Sequence, residues 1–400
     1  MNKIRIRRLK IISILLLFVL IVEVCYIGFH VLFQEKKSIY FEGINAIIGT
    51  RSSYITVGSN NDNDLHYEKG KISFYDLKKQ KTFEKLYNVG FNSAFFGVAV
   101  DDNDDIIAVG SYEKTEDDHV NLVRRALMVK YDKKGNLIFE KDYSLLDNSK
   151  YTSILCVEDG YLVVGQSIYQ NTKLGSKSGG AILVKYDKEG HLLWNKNYGS
   201  SKSALFQDLI VINQFIYVVG VDERNIGVIA QYDLDGNFIK DYRYLYTDSL
   251  GFSGITVFNN SIYVSGSHQI DSHHTDAFIA QYDLDCELVN TITYPDQGMS
   301  RFNKIIIDDQ EQLIAIGNTA ITTKTDTVQQ YNHNGIIAKY DSQLKLVDSV
   351  SYGDERDDYF TDVLFDKDCY LVVGYSSYED GSYMSKFIRY SRALKVLGVE

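Results

Sequence analysis

Proline is almost missing: Pro295 is the single one in 400 residues, so chain reversals must be made by Gly, Asn and Asp. Cysteine is scarce too. Cys25, Cys156, Cys286 and Cys369 are far apart and form no CxxC pair, which excludes a disulfide framework, a zinc ribbon and a thioredoxin-type centre, and leaves four free thiols. Basic residues do not dominate. Forty-two Lys and Arg against fifty-three Asp and Glu give a net charge of −11 and a pI near 5.3, which argues against nucleic acid as a partner. Catalytic signatures are absent: there is no HExxH, no GxSxG and no GxxxxGK[ST]. No apolar 3.6-residue period follows residue 33, so helices play little part in the rest of the chain.

One long apolar run is present. Ile11 to Phe33 is rich in Ile, Leu, Val and Phe; as a helix of 23 residues it would span about 34 Å, enough for a bilayer core of about 30 Å. Lys3, Arg5, Arg7, Arg8 and Lys10 precede it, which puts the N-terminus on the cytoplasmic side and the remainder outside. No A-x-A-like cleavage site follows, so an uncleaved signal anchor is expected. Glu23 within the run is a potential pairing point for another membrane helix. The expected organisation is a basic cytoplasmic tail at 1–10, a transmembrane helix at 11–33, a linker at 34–43 and one repeat domain at 44–400.

The repeat is marked by Gly58, Gly110, Gly165, Gly220, Gly266, Gly317 and Gly374, each closing an apolar, β-branched run, at spacings of 52, 55, 55, 46, 51 and 57 residues. An aromatic-led turn follows each: Tyr75-Asp76, Tyr131-Asp132, Tyr186-Asp187, Tyr232-Asp233, Tyr282-Asp283, Tyr340-Asp341 and Tyr390-Ser391. An aromatic stands 14 residues before the glycine at Phe96, Tyr151, Phe206, Phe252 and Phe360, and 15 before it at Phe302; Ile44 holds the place in the first repeat. This stripe is expected in the core. Residues 204–244 read as four strands, the last the most polar, which is one propeller blade. The predicted fold is therefore all-β: a seven-bladed β-propeller of four-stranded blades behind one N-terminal transmembrane helix. The turn glycines Gly135, Gly190 and Gly236 are replaced by Cys286 and Leu344 elsewhere, which predicts a different turn conformation there. The last repeat ends close to Glu400, so Ser38–Glu42 is a candidate latch for its outer strand.

Phe96-Gly97-Val98-Ala99-Val100-Asp101 running to Ile107-Ala108-Val109-Gly110, Asp276 to Asp283, and Ala181 to Asp187 running on to Asn197-Tyr198-Gly199 resemble the bacterial seven-bladed β-propeller repeat family. The likeness covers 44–400 and implies an exported or cell-surface propeller. It brings no catalytic residues, because its motifs are strand and turn determinants.

Variable connections between second and third strands, at 59–71, 111–125, 166–180, 221–225, 267–275, 318–334 and 375–385, share one face and are the expected functional surface. They carry six of the eight His, among them His66, His119 and His333. The candidate binding residues are His268, Asp271, His273 and His274 in one loop, and Asp354, Asp357 and Asp358 in the inter-blade segment on the same face. No cofactor is expected; a divalent cation on the His/Asp loop is the one left open. Asp101, Asn103 and Asp105 carry oxygens at alternate positions as a calcium loop does, but Ile106 and Tyr112 replace its Gly and Glu, so a polar turn is the better reading. The functional expectation is a non-catalytic, membrane-anchored scaffold binding a protein or glycan outside the cell. The alternatives are a hydrolase or lyase acting on polysaccharide and a metal-stabilised sensor.

Overall fold

The structure, a computed structural model, describes residues 42–61, 67–87, 89–115, 122–143, 148–170, 177–199, 203–244, 250–271, 274–295, 298–324, 329–353, 356–378 and 382–400. The expected membrane segment, tail and most of the linker lie outside them. Among the described residues no helix is long and apolar enough to cross a membrane.

Twenty-eight strands, β1 to β28, follow one another in the described residues. They form six sheets, five of four strands and one of eight. The eight-stranded sheet is two antiparallel meanders, β17–β20, ending in β20 (Leu288–Thr293), and β21–β24, ending in β24 (Leu346–Tyr352), joined by a single parallel pairing of Thr275 with Met299. Within every meander each strand pairs with the next in sequence. The first strands are β1 (Glu42–Gly49), β5 (Phe91–Val100), β9 (Lys150–Val157), β13 (Leu205–Ile212), β17 (Leu250–Phe258), β21 (Met299–Ile307) and β25 (Asp358–Asp366). The expected long loops are shorter than the sequence implies, because backbone pairing continues past the apolar part of each strand. The hairpin expected to open at 318 stays paired to Lys324 and Gln329.

The hydrophobic core is divided among clusters that each join two consecutive meanders. One holds Tyr151, Tyr161 and Val163 with Ile107, Val109 and Met128; another holds Phe206, Ile216 and Val218 with Leu162, Val164 and Leu183. The last meander packs on the first through Leu371, Val373 and Phe387 against Ile44, Ile47 and Tyr54. Consecutive four-strand sheets that pack face to face and return to the first make a β-propeller. Four of the five residues of the expected latch, 38–41, lie outside the described residues. Glu42 opens β1, paired with Asn60, and the outer strand of the last sheet is its own β28, Val396–Val399, paired with β27 (Tyr383–Ser391). A short strand suffices there because packing on the first meander carries the closure.

The recurring glycines have one cause. Each first strand carries a β-bulge, and the glycine lies opposite it: Gly58 pairs Ile44, Gly220 pairs Phe206 and Gly374 pairs Phe360. A Cβ on Gly220 would stand 1.9 Å from the Leu205 carbonyl oxygen, and one on Gly374 would stand 1.8 Å from that of Tyr359. No side chain fits such an approach. The aromatic stripe is buried as expected, with one correction: Gly110 pairs Phe95, which is wholly buried, while Phe96 is the bulged residue and faces the cavity described below. Five-residue turns, 101–105 and 308–312, replace the two-residue turns found after β9, β13, β17 and β25, and that changes the parity of pairing. The same shift places Phe302, rather than its neighbour, opposite Gly317.

The Tyr-Asp turns also share one geometry. The Asp132 carboxylate accepts the Lys134 and Asn136 amides at 2.9 and 2.8 Å, and Asp341 accepts those of Gln343 and Lys345 at 2.9 Å each. The fourth turn residue is left-handed throughout: φ is 79° at Gly135 and 76° at Gly236, but also 61° at Cys286, 62° at Leu344 and 51° at Leu394. The expectation of a different conformation at Cys286 and Leu344 is therefore overturned. The reason lies in the preceding meander. Where the turn residue is glycine, a ring from that meander's outer strand fills the space: Phe83 over Gly135, Phe139 over Gly190, Trp194 over Gly236. The strand positions in the same register are Lys240, Asn290 and Asp348, which offer no ring. There Cys286, Leu344 and Leu394 fill the gap with their own buried side chains. Burying a leucine gains about 1.5–3 kcal/mol, enough to offset a left-handed cost of roughly 1–2 kcal/mol.

Two stability outcomes follow. Gly220→Ala should cost about 3 kcal/mol or more in denaturant melts, because the bulge must open to admit the methyl group; an unchanged midpoint would refute the close-approach account. Leu344→Gly should cost about 1–2 kcal/mol, and adding Asn290→Phe should restore most of it. Additive losses in the double variant would show that ring and side chain do not share one space.

Candidate functional site

The first strands of all the meanders line one cavity of about 1150 Å³. Its walls are the bulges. At four of them the bulged side chain reaches the next meander: Asn45 Nδ2 donates to the Phe95 carbonyl at 2.7 Å, Thr152 Oγ1 to that of Phe206 at 2.6 Å, and Asn303 Nδ2 to that of Phe360 at 2.7 Å. Thr361 Oγ1 donates to the Ile44 carbonyl at 2.7 Å and so ties the last first-strand to the first.

One residue further along sit the charges. Asp208 Oδ1 accepts from the Leu209 amide at 3.0 Å and from Ser153 Oγ at 2.9 Å; its Oδ2 accepts from the Ile255 amide at 3.3 Å and from Lys304 Nζ at 2.7 Å. Lys304 reaches Asp208 past Gly254, the in-register residue of the intervening meander, which has no side chain to obstruct it. Asp362 is braced in the same way, by the Ile47 and Val363 amides at 2.9 Å each. Burial pushes its carboxyl up to about 6, and Lys304 and the two amides pull against that rise. Burial would push Lys304 down, but Asp208 and Asp362 together hold its ammonium above the usual lysine range.

Toward the end of the cavity that carries the connections between second and third strands, the lining changes. Ser267 and Gln269 of β18 (Ser261–Gln269), Asn318 of β22 (Leu313–Lys324), His333 of β23 (Gln329–Tyr340) and Tyr375 of β26 (Cys369–Ser377) lie there beside Lys150, Arg301 and Tyr359. His333 Nδ1 is 3.1 Å from Asp357 Oδ1 and 2.9 Å from the Tyr359 hydroxyl, and its amide donates to the same Asp357 oxygen at 2.9 Å. The rings of Tyr359 and Tyr375 stand 5.1 Å apart, and Tyr375 lies edge-on to Tyr383 at 5.7 Å.

The sequence-derived candidates divide. His268 is the last residue but one of β18, register partner of Leu250 and Asp276. Asp271 is exposed in a tight turn, where Ile270 and Asp271 both donate to the His274 carbonyl. His274 Nε2 lies 2.8 Å from Asp276 Oδ1. Asp357 anchors His333, whereas Asp358 is buried and accepts from Ser376 Oγ. His273, Asp354, His66 and His119 lie outside the described residues. The one cluster of metal-ligand type among the described residues is elsewhere, at Asp187, Glu189 and His191. There Asp187 holds the turn amides of Glu189 and His191 at 3.0 and 2.7 Å, as its counterparts do in the other turns. The Asp101 turn likewise closes on itself, through the Asn103 and Asp105 amides, with Lys130 Nζ 2.8 Å from Asp101 and 3.3 Å from Asp105. Cys156, Cys286 and Cys369 are free thiols, and burial pushes Cys156 and Cys286 up to about 12, so they stay protonated and unreactive.

Sequence reasoning missed Lys150, Arg301, Lys304, Asp208, Asp362 and Tyr359. The signal was there in the register. The residue before the glycine-paired one is Gly43, Ala94, Leu205 or Gly251 in four repeats but Lys150, Arg301 and Tyr359 in three.

No family model matches the chain, and no curated protein matches it. Solved structures do match, at low identity. A puromycin hydrolase shares 8% identity at a TM-score of 0.56, over 88% of this chain and 52% of that one, so this chain spans about half of it. Sqt1 from Chaetomium thermophilum shares 12% identity at a TM-score of 0.51, over 91% of this chain and 88% of that one. A putative 6-phosphogluconolactonase from Bacteroides fragilis shares 10% identity at a TM-score of 0.48, over 91% and 94%. At these identities the likeness extends to the propeller fold alone.

Asp362 gives the cavity a pH signature. Its folded pKa lies above the unfolded value, so its protonated form favours folding; that contribution is full below about pH 4 and lost as pH rises through about 6. The stability of the wild type minus that of Asp362→Asn should therefore fall by at most about 3 kcal/mol between pH 4 and 7. A difference that is flat, or that rises with pH, would contradict this environment for Asp362.

Proposed function

We propose that this protein is a non-catalytic, membrane-anchored binding propeller of seven blades, held outside the cell by residues 11–33, that engages a protein or glycan at the loop-side mouth of its central cavity. The observation that carries the reading is the mouth itself: tyrosines, amides, hydroxyls and cations from several meanders converge on one preformed hollow. Rigid concave sites with a few placed polar groups are where ligands bind. The blade count rests on counting the eight-stranded sheet as two meanders fused by one pairing. The anchor and orientation rest on the apolar run and the basic residues before it.

A second reading, a hydrolase or lyase acting on polysaccharide, has one observation in its favour. Asp357 and Tyr359 meet the same ring nitrogen of His333, which leaves Nε2 available as a base. The acid pair that glycoside cleavage ordinarily needs is not offered by Asp208 and Asp362, which are occupied in bracing neighbouring strands.

A photo-crosslinking residue at Gln269 or Met299 of the full chain, in native membranes, should give a saturable adduct with a protein or glycan. The same residue at exposed Leu193 on the outer strand β12 (Leu192–Tyr198) should give none. Equal labelling at all three positions, or none at the mouth, would remove the reading.

A further inference from the structure

We propose that the loop-side mouth of the cavity binds an acidic saccharide, with one of its acid groups meeting Lys150 and another meeting Arg301. The proposal rests on the binding reading above and names its ligand class.

Lys150 and Arg301 occupy the same register position in their meanders, immediately before Tyr151 and Phe302. Two meanders, β13–β16 and β17–β20, lie between them in chain order, so the two cations approach the cavity from different walls. Neither has a carboxylate partner among the described residues, in a chain whose acids outnumber its bases by eleven. Several other enclosed lysines have a carboxylate: Lys71 with Glu42, Lys130 with Asp101, Lys304 with Asp208; Lys339 instead donates to the Arg392 carbonyl. A cation taken partly out of water without a counter-ion costs free energy. Accordingly, burial and the neighbouring Arg124 hold Lys150 below the usual lysine range; Arg301, whose side chain stays exposed to the hollow, is lowered by the protein packed around it while Tyr375 opposes the drop. A ligand that brings its own anions supplies the missing partners.

The carboxylates of the cavity do not compete. Asp208 is neutralised by Lys304, and both oxygens of Asp362 accept backbone amides. Around the two cations, Ser267, Gln269 and Asn318 offer the mixed donors and acceptors that sugar hydroxyls need, and Tyr359 and Tyr375 offer ring faces. An extended peptide is less well served, since the inner edges of the first strands are already met at several points by side chains of the neighbouring first strand. A cavity of about 1150 Å³ admits several sugar rings.

The test uses the full chain in nanodiscs of uncharged phosphatidylcholine at pH 7.5, with calorimetric titration of trigalacturonate, neutral maltotriose and inorganic phosphate. Trigalacturonate should bind one per chain, and more weakly as salt rises. Arg301→Met and Lys150→Met should each weaken it at least tenfold. Lys134→Met, on an exposed turn, should leave it unchanged, and circular dichroism should show all variants folded. Equal binding of maltotriose would overturn the acidic ligand while leaving the mouth a binding site. Equal binding of phosphate would reduce the site to one for simple anions and overturn the saccharide. No binding by any probe, with the Gln269 crosslink intact, would sink this proposal alone; loss of both would sink the binding reading as well.

Discussion

A backbone carbonyl pressed against a glycine is the contact from which the rest of this fold develops. Opposite Gly58, Gly110, Gly165, Gly220, Gly266, Gly317 and Gly374, a Cβ would meet a carbonyl oxygen at no more than 2.0 Å. The approach exists because the first strand of each meander bulges there. The bulge places the glycine-paired residue in the core between sheets, and turns the next residue outward to the neighbouring first strand. Asn45, Thr152, Asn303 and Thr361 use that orientation to donate to the carbonyl of the next strand. Core packing, lateral bonding and cavity wall therefore come from one local distortion, and only glycine opposite permits it.

Closure needs no special device once this is in place. Thr361 donates to Ile44 as Asn303 donates to Phe360, and Phe387 and Leu371 pack on Tyr54 and Ile47 as their counterparts do elsewhere. Lys79 strengthens the same seam. It takes the left-handed turn position that Gly135 holds in the next meander, at φ 67°, and its ammonium reaches Asp366 at 2.9 Å while lying over the Tyr54 ring. Its register partner across that seam, Gly398, has no ring to give.

Features that depend on neighbours in sequence were legible before any coordinates: the glycines, the Tyr-Asp turns, the strands and their fourfold grouping. Those that depend on another repeat were not. Phe95 displaced Phe96 from the core because a five-residue turn changes pairing parity, and turn length only matters through the partner strand. Cys286 and Leu344 kept the glycine conformation because Lys240 and Asn290, in preceding meanders, leave room that rings occupy elsewhere. The site follows the same rule. Looking for function among histidines in loops found His333, and Asp357 beside it, but also found Asp358, which is buried on Ser376. Lys150 and Arg301 are 151 residues apart, and nothing local marks them as lining one cavity. Only the register of the repeats brings them into view.

The charge of the whole molecule sharpens what the mouth does. A net charge of −11 repels an approaching anion over roughly a Debye length, about 8 Å at physiological ionic strength. Attraction to Lys150 and Arg301 acts at shorter range and within a cavity, whose walls focus the field of the two cations. The two effects separate by distance. Beyond the rim the protein discourages anions in general; inside it, acids that also satisfy the amides and tyrosines of the mouth are favoured. A simple basic patch would attract every polyanion. Cations set in the hollow of an acidic propeller admit only those whose shape lets them reach, and this selectivity comes from placing two cations, neither with a carboxylate partner among the described residues, at one register position that faces the hollow.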